Sequence, residues 1–212
     1  MPEELLLLML DDRTGRLHDS VGPGGDFALA GAVLAELSLA GRIDSDSRRL
    51  WVADAAPTGD ALLDGALARI AADAAPRDSR HWIALLGADA EDLREVLFER
   101  LVAKGVLRRE QGRFLWVFPE RRYPAVSGRE EREVKARLLG VLFDDDIPEP
   151  RDALLIGLCR AASLFGTMLA PAELERLQPR IAQVADLEEL NRSLAEAVRV
   201  VFAQIARHAP MV

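Results

Sequence analysis

The hydrophobic pattern of the chain centres on one stretch, residues 27–43, reading FALAGAVLAELSLAGRI. Glu36 is its only acid and Arg42 its only base. A helix apolar on nearly every side has no face to give to water, so the pattern predicts a helix at the centre of a domain. The run is too short for a membrane span, which takes about 20 apolar residues. Residues 5–10, LLLLML, are continuously apolar and fit either a strand or a helix. The pair Glu3-Glu4 ahead of them suits a helix start. Residues 21–26, VGPGGD, read as a flexible loop leading to the central helix.

Beyond Gly41 the pattern turns to shorter elements. Residues 42–44 and 50–53 read as two strands around the polar turn 44–48. Thr58 or Asp60 can cap a helix whose stripe is Leu62, Leu63, Ala66, Leu67 and Ile70. Asp78 or Ser79 can cap the next, which carries Trp82, Ile83, Leu85 and Leu86. In residues 91–105, Leu93, Val96, Leu97, Leu101 and Val102 oppose Arg94, Glu95, Glu99, Arg100 and Lys104. Residues 106–107 and 113–118 read as a hairpin around 110–112; helix, linker and two-stranded wing also describe a winged helix.

Residues 127–143 contain a helix with Val134, Leu138, Val141 and Leu142 inward and Glu131, Arg132 and Lys135 outward. An acidic, proline-marked loop spans 144–150, and Asp152 caps a second nearly apolar helix over 153–169. A short helix over 173–187 is interrupted at Pro179, and a last one runs on Leu190, Leu194, Val198, Val201 and Ile205. The expectation is a mainly α protein: a single globular helical domain over residues 1–212, with small β-hairpins and no internal repeat.

Charge modifies this picture. The net charge is −8, but nine Lys/Arg against five Glu between residues 108 and 137 make a local strip of +4. Such a strip on an acidic protein points to an anionic partner met at one place. A solvated loop with scattered arginines is the alternative. The acidic total argues against nucleic acid, which calls for a whole basic face. Lysine is confined to Lys104 and Lys135 while Arg and Ala abound, a bias that GC-rich genomes produce and that suggests a bacterium. One cysteine, the absence of a secretory leader and the absence of a membrane span suggest a cytoplasmic protein. Cys159 lies in LLIGLCRAASLF and reads as a small buried hydrophobe.

No residue nominates itself for catalysis. His18, His81 and His208 lack metal-ligand spacing, and GxSxG, HExxH, CxxC and P-loop patterns are absent. The Asp60/Asp64 pair reads as helix capping, and 144–146 as an acidic turn rather than a cation site. Trp51, Trp82 and Trp116 read as core anchors. The expectation is a non-enzyme without cofactor or metal.

Four stretches together resemble the Golgi phosphoprotein 3 family: LLLLMLDDRTGRL, LAELSLAGRI, APTGDALLDGAL followed by HWIALL, and LREVLFERLVAKGVL. The resemblance implies the mainly helical fold already read from the pattern. It also implies a peripheral binder of an anionic phospholipid headgroup, phosphatidylinositol 4-phosphate in eukaryotic members, or an adaptor; the expected location is the cytoplasm, peripheral on the inner face of the cell membrane. Of the basic residues such a site uses, a late pair is matched by Arg132 and Lys135, with Arg121, Arg122 and Arg129 adding field. Ala30 stands where the resemblance calls for an arginine, and no tryptophan lies between Gly15 and Phe27. The competing expectation is a protein-interaction module that keeps the fold without the lipid. A protein partner and a homo-oligomer both stay open.

Overall fold

In the computed structural model of the chain, residues 1–11, 14–19, 21–46, 48–114, 118–144, 146–187, 198 and 200 are described. The chain is mainly α. Helix α1 (Pro2–Leu8) leads to α2 (Gly22–Leu39), then strands β1 (Ile43–Ser45) and β2 (Leu50–Val52). Helices α3 (Ala61–Ala72), α4 (Ser79–Ala88) and α5 (Ala90–Ala103) follow, then β3 (Glu110–Phe114) and β4 (Phe118–Arg122). The described part closes with α6 (Arg129–Phe143), α7 (Pro150–Ala161), α8 (Phe165–Met168) and α9 (Pro171–Ala185). The last expected helix, on residues 190–205, lies outside the described residues except at 198 and 200.

The central helix is where the pattern put it. α2 packs against α1, α3, α4, α5, α7 and β1. Leu29, Leu34 and Leu37 are fully buried in it, as are Ala28, Ala30, Ala32 and Ala35. Each large apolar side chain removed from water contributes about 1.5–3 kcal/mol. The small residues between them let neighbouring helices approach closely. Gly31 shows how closely: a Cβ there would meet the Leu158 side chain of α7 at 2.8 Å.

Several local expectations change. The stretch 5–10 resolves to helix as far as Leu8, where Leu5, Leu6 and Leu8 are fully buried and α1 packs on α2, α5 and α6, while Leu10 bridges to Leu17. The expected loop 21–26 belongs to the start of α2. A proline at the first helical positions costs nothing there, and Gly25 is required by packing, since a Cβ would sit 2.2 Å from the Val21 side chain. Tertiary fit overrides the poor helix propensity of glycine.

The second hairpin is shifted. Residues 110–112, expected as its turn, belong to β3, with Gly112 opposite Glu120 and Phe114 opposite Phe118. Asp152 lies inside α7 rather than at its cap; Glu149 is the capping position and the Asp152 carboxylate accepts from Arg137 Nε at 2.7 Å. The second apolar helix breaks after Ala161, where Ser163 takes a left-handed φ of 58°. Helix α9 instead runs through Pro179. Its stripe of Leu177, Ile181 and Val184 is buried, and that packing offsets the lost backbone hydrogen bond.

Asp60 and Asp78 are the caps of α3 and α4. Asp60 accepts from the Leu62 amide at 2.8 Å, while Asp64 accepts from Thr58 through both amide and hydroxyl at 2.7 Å. Both carboxylates are thereby committed to local structure. Trp82 is a core anchor at 2 % exposure; Trp51 is half-buried beneath the Arg49 guanidinium, and Trp116 lies outside the described residues. Cys159 is fully buried, and burial pushes its thiol pKa far up, which makes it a poor nucleophile.

Candidate anion-binding site

The five candidate cations sit on β4 and on the first two turns of α6. The segment between these elements is tightly held. Tyr123 is buried and stacks on Phe98 of α5, ring centroids 4.0 Å apart and nearly parallel. Its amide donates to the Gly15 carbonyl at 2.9 Å. Gly15 has φ +65°, and a Cβ there would lie 2.2 Å from the Pro124 nitrogen. Only glycine fits that position, so the turn after α1 clamps the exit of β4. Gly128, at φ +61°, then starts α6.

Arg132 is exposed on the first turn of α6, and its Nη2 donates to the Ser127 carbonyl at 3.0 Å. It has no carboxylate partner among the described residues. Lys135 is one turn further and ion-pairs with Glu131. Arg129 is exposed and donates through Nε to Glu133 at 2.7 Å. Arg121 pairs with Glu95 on α5, and that carboxylate raises its pKa. Arg122 is half-buried and also engaged. Arg109 pairs with Glu99 on α5, and Arg137 turns away to Glu4 and Asp152, each at 2.7 Å.

The structure thus brings Arg132, Lys135 and Arg129 onto one helix end and turns Arg121 onto α5. It also recruits carboxylates that a count along the strip misses. Adding Glu95 and Glu99 lowers the local sum from +4 to +2. Their signal was present in the outward face of the 91–105 helix, but only the hairpin's return path shows which arginines they meet.

Glu131 is the main correction. It was expected outward, yet it is 2 % exposed. Positions 131, 134, 138 and 141 are spaced three, four and three apart, so Glu131 begins the inward stripe of Val134, Leu138 and Val141. An acid in the first turn faces the positive end of the helix dipole, and Lys135 at i+4 supplies a counter-charge. Ala30, in place of an expected arginine, is fully buried in α2, while α6 packs on α1, α7 and α9.

The acidic loop 144–150 carries no strand among its described residues. Ile147 is 95 % exposed there, and Arg180 of α9 donates to the Asp146 carbonyl at 2.5 Å. No described helix is long and apolar enough to cross a membrane.

A mainly helical chain with two small hairpins among its described residues and a buried apolar central helix defines the class, and comparison with known sequences gives the family. The profile of the Golgi phosphoprotein 3 (GPP34) family matches residues 1–205, so the chain belongs to that family. It is similar to vacuolar protein sorting-associated protein 74 of Eremothecium gossypii, 33 % identical over 166 residues, which covers 68 % of this chain and 49 % of that protein. The protein of the same name from Schizosaccharomyces pombe is 30 % identical over 164 residues, 66 % of this chain and 47 % of that protein. The chain therefore matches about half the length of these curated relatives. Both relatives come from yeasts, and they lend no support to the bacterial origin that composition suggested.

Proposed function

We propose that this protein is a non-catalytic, peripheral membrane protein that holds an anionic phospholipid headgroup at the start of α6. Arg132 is the principal contact, with Lys135 beside it and Arg129, Arg121 and Arg122 supplying field. One observation carries the reading. Arg132 is exposed at a helix N-terminal turn, donates to the Ser127 carbonyl, and has no carboxylate partner among the described residues. An arginine fork so placed suits a phosphate geometrically and electrostatically. Family membership supports it, since eukaryotic members bind phosphatidylinositol 4-phosphate on Golgi membranes and retain glycosyltransferases there. Phosphatidylinositol 4-phosphate is the headgroup that resemblance nominates for this chain.

The test is co-sedimentation with phosphatidylcholine vesicles, with and without an anionic lipid. The wild-type chain pellets with anionic vesicles, and Arg132→Glu does not. Retained binding in that variant would remove Arg132 from the site.

A second reading is favoured by the internal pairing of Arg109, Arg121 and Arg129 and by Ala30 at a buried position. On that reading the fold serves as an adaptor that binds a protein partner and no lipid. Failure of the wild-type chain to pellet with any vesicle would select it.

A further inference from the structure

We infer that the cleft between α3 and α5 is a binding site for a small amphiphilic amine, whose apolar body fills the cleft while its ammonium meets Asp92. The cleft is lined from α2 to α5 and shares no residue with the α6 site.

The cleft follows from how three helices meet. α3 and α5 both pack on α2. Between them lies a cavity of about 420 Å³, within the range of small-molecule pockets. Val33 of α2, Leu62 and Ala66 of α3, Leu86 of α4 and Leu93 of α5 give it apolar walls. Ala61, Gly65 and Arg69, one turn apart on α3, form one rim. Asp92, Val96 and Arg100, one turn apart on α5, form the other. Val96 belongs to the apolar stripe of α5, yet it stays 41 % exposed at this rim.

Gly65 is an independent sign of an open site. Glycine weakens the interior of a helix. Neither backbone nor packing calls for it here: Gly65 is helical, and an added Cβ would meet nothing within 4 Å. The missing side chain leaves the rim of the cleft open.

Charge selects the occupant. Both arginines of the lining are already answered, Arg69 by Asp89 and Arg100 by Asp60, each at 2.7 Å. The other charges along α5 cancel away from the cleft: Arg94 with Asp26, Glu95 with Arg121 and Glu99 with Arg109. Lys104 beyond its end pairs with Glu3. Asp92 has no cation partner among the described residues, and neither has Glu91 beside it or Asp64 on α3. An anion in the cleft would face these three carboxylates and find every lining cation engaged. A ligand with an apolar body and one positive charge complements both the walls and the rim.

The experiment is equilibrium dialysis of the full chain at neutral pH against three probes of one shape: naphthylethylamine, a cation; naphthylethanol, neutral; and naphthylacetate, an anion. The amine binds at one saturable site about five-fold more tightly than the alcohol, the scale of one charge contact near water. The acetate binds weakest. Asp92→Asn brings the amine down to the alcohol and leaves the alcohol unchanged. Gly65→Leu puts a side chain into the cleft and abolishes binding of both, with a melting temperature no lower than that of the wild type. No saturable binding of the amine, no preference for it over the alcohol or the acetate, or a preference that survives Asp92→Asn would each overturn the inference. Full binding in Gly65→Leu would place the probe elsewhere and overturn it too. Asp92 is exposed, so its replacement decides the question even where Gly65→Leu melts lower.

Discussion

Arg151 Nη1 donates to Glu36 Oε1 at 2.8 Å across 115 positions of sequence, and the same guanidinium donates to Glu4 Oε2 through Nη2 at 2.7 Å. One side chain at the start of α7 thereby holds Glu36 of the central helix and Glu4 of α1. Arg137 of α6 extends the set by bridging Glu4 and Asp152, each at 2.7 Å. Four helices meet at these charges, and α6 is the one that carries the candidate site.

Arg151→Met is expected to destabilise the fold, since it leaves Glu4 and Glu36 half-buried with fewer partners. The guanidinium is 38 % exposed, so solvent screening limits the loss to about 1–2 kcal/mol. Urea unfolding followed by circular dichroism measures it. An unchanged midpoint would show that the bridge adds nothing.

The same cluster makes stability depend on pH. Burial alone would raise the Glu4 pKa, but the hydrogen bond from Arg137, the Met1 ammonium and the Arg151 guanidinium outweigh it and hold the carboxyl at about 2, against 4.5 for an unperturbed glutamate. Glu36 is shifted the same way: burial opposes, and Arg151 with the Met1 ammonium prevails. A depressed pKa in the folded state means the unfolded chain binds the proton first. The contribution is thus complete above about pH 4.5 and fades as the pH falls toward 2. For Glu4 it amounts to at most about 3 kcal/mol. Melting temperature against pH should fall through this window, and less steeply in Glu4→Gln.

Gly15→Ala should cost more than Gly59→Ala, although both glycines have positive φ. At Gly59 nothing lies within 4 Å of the added Cβ, so the cost is backbone strain of about 1 kcal/mol. At Gly15 the Cβ meets the Pro124 backbone at 2.2 Å, and the turn or the β4 exit must move. Thermal melts of the two variants rank them. Equal losses would mean that the clamp is slack.

Asp60 performs two tasks that substitution can separate. Its carboxylate caps α3 and accepts from Arg100 Nη1 and Nη2, both at 2.7 Å. Asp60→Asn keeps a capping oxygen and weakens the bidentate pair; Asp60→Ala removes both. The expected losses are about 1 and 2 kcal/mol. Chemical denaturation of the pair of variants checks the order, and a milder effect for alanine would contradict it.

The large features of the fold were legible because burial leaves a periodic trace. An 18-residue helix with no polar face can only be central, and α3, α5 and α6 show their stripes openly. What was hidden has one physical cause. A sequence displays which residues are charged, not which neighbours answer them. Glu95 and Glu99 reach Arg121 and Arg109 only because β3 and β4 fold back along α5. Glu131 was placed by its charge when its spacing from Val134 and Leu138 argued for the inside. The glycine-rich start of α2 misled for a related reason: Gly25 is there to admit Val21, and that contact exists only after folding.

Binding at the α6 site should also weaken with salt, because exposed charges are screened within about 10 Å at 0.1 M ionic strength. Vesicle co-sedimentation across a sodium chloride series measures this, and a flat series would point to apolar contact instead.

The most direct measurement is co-sedimentation of the wild-type chain and Arg132→Glu with anionic phospholipid vesicles at low salt. The account predicts that the wild-type chain pellets and that the variant, folded to the same melting temperature, stays in solution with at least a ten-fold loss of affinity. Equal pelleting of both proteins would contradict it.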